Sequence, residues 1–490
     1  MTVAPAIRYE RSDWANAFVN VEQELTDVPL TPIHGAVPPD LQGTFYRNGP
    51  GCLERDGHRV HHPFDGDGMI AAMRFENGNV QLSNRFVRTE GWLAEEKAGK
   101  VLYRGVFGTQ KPGGRLANAF DLRLKNIANT NVVRLGDQLL ALWEAAEPHA
   151  LDPNSLETHG LSRLDGVLKK GEAFSAHPRF DPGHNGRPCM VTFGVKAGPR
   201  STIRVMEFAT EGPEAGTLLH DRRDGFPGFA FLHDFAITPN WAVFLQNAIA
   251  FNPLPFVTGE KGAAQCLASQ PGGKGRFWLI PRDSGRFAGQ KPRILEAPDG
   301  FVFHHLNAFE DGDEHVVVES IVYDDFPSIG PDVDFAEIDF NTVPEGLLHR
   351  CRLDLSRGTV QTERISERTC EFAMVNPDYQ GSAARFAWMA VAERETGNDP
   401  LQAIQKLDLN TGESRVWSAA PRGFVSEPLM VRRPGGEAED DGWVLDLVWN
   451  GGRAASDLVI LDARDLSEIA VLELPLAVPH GLHGSWAEQR

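Results

Sequence analysis

Short runs of alternating apolar and polar residues recur along this chain, and each is bounded by Asn, Asp, Gly or Pro. MRFENGNVQLSNRF (73–86), VVRLGDQLLALW (132–143), FAITPNWAVFLQ (235–246) and NAFEDGDEHVVVESIV (307–322) all read this way. Two alternating runs joined by such residues predict a β-hairpin, because the bend needs a backbone that these residue types tolerate. Helical periodicity is local, and 84–102, around WLAEEKAGK, is the best helix candidate. The pattern predicts an all-β protein built from many hairpins.

Some of the hairpins repeat. CRLDLSRGTVQTERI, QKLDLNTGESRVWS and VILDARDLSEIAVLEL align on Asp354, Asp408 and Asp462, which lie 54 residues apart and then 54 again. Looser relatives surround Asp152 and Asp283. Antiparallel repeats of this length predict propeller blades, in which each sheet covers the face of the next. Seven blades with unequal insertions would fill the chain. Length alone suggests two to four domains at roughly 100–200 residues each. A closed propeller replaces that estimate with one domain over 1–490.

The repeat gives scattered histidines a common address. His177, His304 and His483 fall 25, 21 and 21 residues beyond Asp152, Asp283 and Asp462, while Glu371 and Glu427 fall 17 and 19 beyond Asp354 and Asp408. That distance completes one blade and reaches the inner strand of the next, so all five residues should meet at one mouth of the central channel. The doublet in FVFHHLNAFE (301–310) fits this placement. Strict strand alternation puts Phe301, Phe303 and His305 on one face and Val302, His304 and Leu306 on the other. A second histidine-rich stretch, HRVHHPFDGDGM, reads as a turn before a strand and not as a second metal site.

Composition narrows the partners. With 48 basic and 67 acidic residues the formal charge is −19, which disfavours nucleic acid and anionic surfaces. The five cysteines are scattered without a CxxC pair, so neither a thiolate zinc site nor a disulfide framework is expected. No signal peptide and no uninterrupted apolar stretch long enough for a membrane span is visible. A cytoplasmic location fits.

The blocks LQGTFYRNGPG, HPFDGDGM, KNIANTN, ALWEAAEPH, SAHPR, FLHDFAIT, FVFHHLNAFE, CEFAMVNP, SEPLMVRRPGG and PHGLHGSWA, in order over most of the length, make the chain similar to the carotenoid cleavage oxygenases, particularly the bacterial apocarotenoid oxygenases. The resemblance implies a seven-bladed β-propeller with loops and short helices capping the metal-bearing face. It implies one Fe(II) per chain held by His177, His233, His304 and His483, with O2 as co-substrate and no protein nucleophile. Glu144, Glu371 and Glu427 would orient His233, His304 and His483, leaving His177 without a carboxylate; Thr130 would crowd an open coordination position. His305 and His480 would be structural neighbours of the ligands.

The substrate implied is a hydrophobic apocarotenal or apocarotenol, cleaved at its 15,15′ double bond to retinal or a related aldehyde. Trp143, Phe231, Phe303 and Tyr323 would wall its tunnel. The uncharged stretch 247–259 and its neighbour 106–120 would touch a membrane surface peripherally, with Phe251 and Phe256 as anchors, and no obligate protein partner is implied. A stilbene-cleaving oxygenase, a retinyl-ester isomerase on the same scaffold and a non-catalytic docking propeller are the alternatives.

Overall fold

A computed structural model describes residues 9–488 apart from 197, 199, 230, 271, 328, 329, 331 and 332. The hairpins join into seven antiparallel sheets arranged as propeller blades. In chain order, the strands nearest the axis are Asn131–Leu135 (blade 2), Arg179–Asp181 (blade 3), Ala236–Ile237 (blade 4), Phe301–Asp311 (blade 5), Cys370–Val375 (blade 6), Leu429–Arg432 (blade 7) and Gly484–Glu488 (blade 1). Blade 1 is therefore assembled from both ends of the chain: Gly484–Glu488 pairs with Gly43–Cys52. Blade 7 gains its outermost strand from Pro32–Gly35, which pairs with Glu468–Glu473. Blades 1 and 7 are thus each fastened by a distant segment.

The core lies between the blades. Seven apolar clusters of the described residues each bridge one pair of neighbouring sheets. Between blades 1 and 7, for example, Phe75 and Leu82 pack with Trp443 and Leu472. A sheet covered on both faces needs apolar residues on both, which is why GWVLDLVWN (442–450) is buried almost throughout and alternates poorly.

The Asp-led turns lie where the repeat puts them, between the third and fourth strands of their blades. The Asp354 carboxylate accepts the backbone N–H groups of Ser356 (3.0 Å) and Arg357 (2.8 Å). Asp408 holds Asn410 and Thr411 in the same way, and Asp152 holds Asn154 and Ser155. The helix expected within 84–102 is Glu90–Ala98, capped by the Thr89 hydroxyl on Trp92 N–H and ended by Gly99 at φ +63°. No helix among the described residues is long and apolar enough to cross a membrane.

Polar side chains near the axis tie successive blades together. Asn48 donates to the carbonyls of Ala128 and Asn131, and Asn131 donates to that of Ala176 (2.7 Å). Asn307 reaches the Ser382 carbonyl (2.7 Å), and Arg47 reaches Glu427 Oε2 (3.0 Å).

Candidate metal centre

Every inner strand begins with a residue of interest. Thr130 precedes the inner strand of blade 2, His177 that of blade 3, His233 that of blade 4 and Glu427 that of blade 7. His304 and Glu371 are the fourth and second residues of the inner strands of blades 5 and 6, and His483 immediately precedes Gly484 in blade 1. Inner strands run in the same sense around the axis, so their starts share one face. Glu144 follows Gln138–Leu142, the antiparallel neighbour in blade 2, and an antiparallel strand ends on the face where its partner starts.

His177, His233, His304 and His483 converge, with one ring nitrogen of each within 4.8 Å of the others. His177 Nε2 lies 3.0 Å from His233 Nε2, and the rings approach at centroid distances of 4.4–5.1 Å. Three rings are anchored from behind through Nδ1. His233 donates to Glu144 (2.5 Å), His304 to Glu371 (2.6 Å) and His483 to Glu427 (2.8 Å). A proton held on Nδ1 leaves Nε2 as a bare lone pair aimed inward. No carboxylate bonds the His177 ring among the described residues.

Charge favours a cation at the centre. Burial, reinforced by the facing imidazoles, keeps the His177 pKa well below the ordinary histidine value. Burial likewise lowers that of His483, against the pull of Glu427. Burial also opposes charge on His304, but Glu371, with Asp234 and Glu427 adding to it, raises the pKa. Glu371 and Glu427 stay below the usual carboxylate range: burial works against them, and their histidines, together with Tyr323 and the Phe372 N–H for Glu371 and Arg47 and the Gly484 N–H for Glu427, more than compensate. His304 Nε2 is buried without a protein partner. An inward set of imidazole lone pairs backed by carboxylates fits a divalent first-row metal such as Fe(II), and iron is what the donor set would hold.

The carboxylates differ in their own support. The Tyr323 hydroxyl donates to Glu371 Oε1. Arg47 and the Gly484 N–H both donate to Glu427 Oε2 (3.0 and 2.8 Å). Glu144 is the most exposed of the three. Tyr323, expected only as a wall, is thus also a support for Glu371. Arg47 carried one sequence signal, a charge in the apolar run TFYRNG, and its role there was missed.

Strict alternation fails at the doublet. Val302 pairs with Val322 and His305 with Ser320, so Phe303 and His304 together oppose Ile321 alone. This β-bulge turns both side chains toward the centre. The Phe303 ring lies 5.5 Å from that of His233 and 6.3 Å from that of His304, instead of facing away from His304 as alternation predicts. A second bulge follows Glu371. There Phe372 adopts φ +54° and lays its ring 5.8 Å from His304 and 5.4 Å from His483. No sequence signal marked Phe372.

Of the other expected wall residues, Trp143 is buried directly before Glu144. Phe231 joins Phe303 through Phe301 and Phe326. His305 bonds Ser320 Oγ (2.7 Å), and His480 packs on Trp14 at 4.7 Å; neither belongs to the ring. Thr130 is buried, its carbonyl accepting the His483 N–H (3.1 Å). The HRVHHPFDGDGM stretch is scaffold. His62 caps a short 3-10 turn, Asp65 holds Phe107 and Thr109, and Asp67 pairs with Arg55 and Lys125.

The family described as retinal pigment epithelial membrane protein matches residues 18–488. The apocarotenoid-15,15′-oxygenase of Synechocystis is 46% identical over 99% of either chain. Lignostilbene-α,β-dioxygenase isozyme III of Sphingomonas paucimobilis is 29% identical over 96% of this chain and 95% of its own. Cobalt-substituted apocarotenoid oxygenase of Synechocystis superposes with a TM-score of 0.94 at 46% identity, covering 98% of this chain and 99% of the other. The chain belongs to the retinal pigment epithelial membrane protein family, that of the carotenoid cleavage oxygenases.

Proposed function

We propose that this chain is an iron-dependent oxygenase that cleaves a conjugated C=C bond of an apocarotenal or apocarotenol, at the 15,15′ position, with O2 as co-substrate. The observation that carries this reading is the convergence of four imidazoles, three of them backed by carboxylates, in a chain 46% identical to an apocarotenoid-15,15′-oxygenase. Bound iron(II) supplies the electron chemistry that lets O2 react with a closed-shell polyene.

The protein's task is to hold and to position. Glu144, Glu371 and Glu427 keep their histidines in the tautomer whose Nε2 is free. Phe303 and Phe372 put apolar rings against the histidines, which excludes water and suits a polyene better than a polar substrate. Trp143, Phe231 and Tyr323 extend that wall, and the Thr130 side chain narrows the space beside the histidines. Selection of the bond to be cut then follows from where the polyene is held. No side-chain nucleophile or proton donor is required.

The substrate would be collected at an apolar surface. Segments 106–120 and 247–259 pack together, Phe120 N–H donating to the Val257 carbonyl (2.8 Å). The pair exposes Leu116 (92%), Phe120 (80%) and Leu254 (65%), an arrangement suited to a bilayer surface. The anchors differ from those expected: Phe256 is buried under the Arg104 guanidinium at 4.2 Å, and Phe251 stacks on Phe229. The triple variant L116S/F120S/L254S should lose flotation with liposomes, whereas unchanged flotation would exclude this surface.

The function itself is tested with the iron-loaded full chain and β-apo-8′-carotenal. The spectrum should be stable without air and move to shorter wavelength on aeration, with retinal as product. A resveratrol-type stilbene consumed in its place would move the chain to the stilbene-cleaving branch. Absence of stoichiometric iron would remove the oxygenase reading altogether.

A further inference from the structure

His177 differs from the other three histidines in having no carboxylate behind its ring, yet it is held in the same ring. Its support comes along the chain. Two residues on, Arg179 donates from Nε to the Phe235 carbonyl (2.8 Å) and from Nη2 to the His305 carbonyl (2.7 Å) and to Asp234 Oδ2. Asp234, next to His233, also accepts the backbone N–H of His305 (2.8 Å) through Oδ2 and that of Phe235 (2.7 Å) through Oδ1. The Asp234 side chain is 1% exposed. One carboxylate and one guanidinium therefore join the strands that carry His177, His233 and His304, in blades 3, 4 and 5. Pro178, with its fixed φ, links His177 to Arg179 stiffly. Three of the sequence blocks, SAHPR, FLHDFAIT and FVFHHLNAFE, meet at this point.

Resting on the metal-site reading above, we infer that Asp234 and Arg179 are positioning residues for the metal centre, a strut that holds His177 through its backbone where the other histidines are held through their rings. A guanidinium fork with three acceptors in fixed directions sets the separation of the strands as well as their contact. Lysine at 179 keeps the charge and three N–H donors, but all on one nitrogen, so it cannot reproduce a fork that donates from Nε and Nη2 at once. Asparagine at 234 keeps the size but turns a donor toward Arg179 or toward the backbone N–H groups.

The test uses the full-length chain, titrated with Co(II) and Fe(II) and followed by the visible Co(II) bands. D234N and R179K should each weaken metal binding about 10- to 100-fold, the effect usual for lost outer partners of metal ligands, and should alter the Co(II) bands. In an H177A background each substitution should weaken binding less than in wild type, because the part of the strut that acts through His177 is already lost. Equal weakening in both backgrounds, or unchanged affinity and bands in D234N and R179K, would overturn the strut. Failure of both variants to fold would make the pair a folding element only and would overturn it as well. Wild-type protein that takes up no metal would instead remove the metal-site reading on which the strut rests.

Discussion

At the scale of single residues, the centre works by keeping imidazoles neutral and directed. Burial does the first and a carboxylate on Nδ1 the second, so E144Q, E371Q and E427Q should each weaken iron binding about 10- to 100-fold, measured by competition with a chelator. A different titration concerns Asp446, fully buried with Ser426 Oγ 2.5 Å from its Oδ1. Burial pushes its pKa up to about 7, against about 3.9 in an unfolded chain. Between those values the unfolded state has lost the proton and the folded state keeps it, so this group makes stability fall as pH rises, until the folded carboxyl also ionises. Asp446→Asn removes that term. The melting temperature of D446N relative to wild type should be higher at pH 8 than at pH 5. Residue identities were partly legible. His177, His304, His483, Glu371 and Glu427 followed from the repeat. His233 did not, because the outer turn of blade 3 (210–217) has no leading Asp to mark the step into blade 4.

Single strands and turns follow two rules of unequal visibility. Turns are chemically marked: the Asp152 carboxylate accepts Asn154 N–H (3.0 Å), Ser155 N–H (2.7 Å) and the Ser155 hydroxyl (3.0 Å). D152A should cost about 1–2 kcal/mol by denaturant unfolding and leave iron content unchanged, since the turn lies away from the ring. Bulges carry no such mark. Alternation describes an average strand, and the extra residue at Phe303–His304 is set by the fit of blade 5 on its neighbours, which no local pattern contains. The same holds for Glu371–Phe372. A non-glycine residue at φ +54° carries about 1–2 kcal/mol of backbone strain, so F372G should be more stable than F372A although glycine ordinarily costs stability relative to alanine. Thermal unfolding of the two apoproteins decides the sign.

Over the whole molecule, the blade repeat was legible from the 54-residue spacing, the count of seven needed unequal insertions and the family resemblance, and the closure was not legible. Pro32–Gly35 and Gly484–Glu488 complete blades 7 and 1, and neither resembles the repeat. The closing strand fits tightly. A Cβ on Gly484 would fall 2.3 Å from the Tyr46 carbonyl oxygen, so G484A should loosen the seam and reduce both iron retention and melting temperature. That seam also carries His483, the last of the four histidines in the chain. A nascent polypeptide on the ribosome can present three of them while the fourth is still unmade. Full grip on iron therefore waits until synthesis has passed His483 and the ring has shut, so a prematurely terminated chain lacks the complete set of four imidazoles.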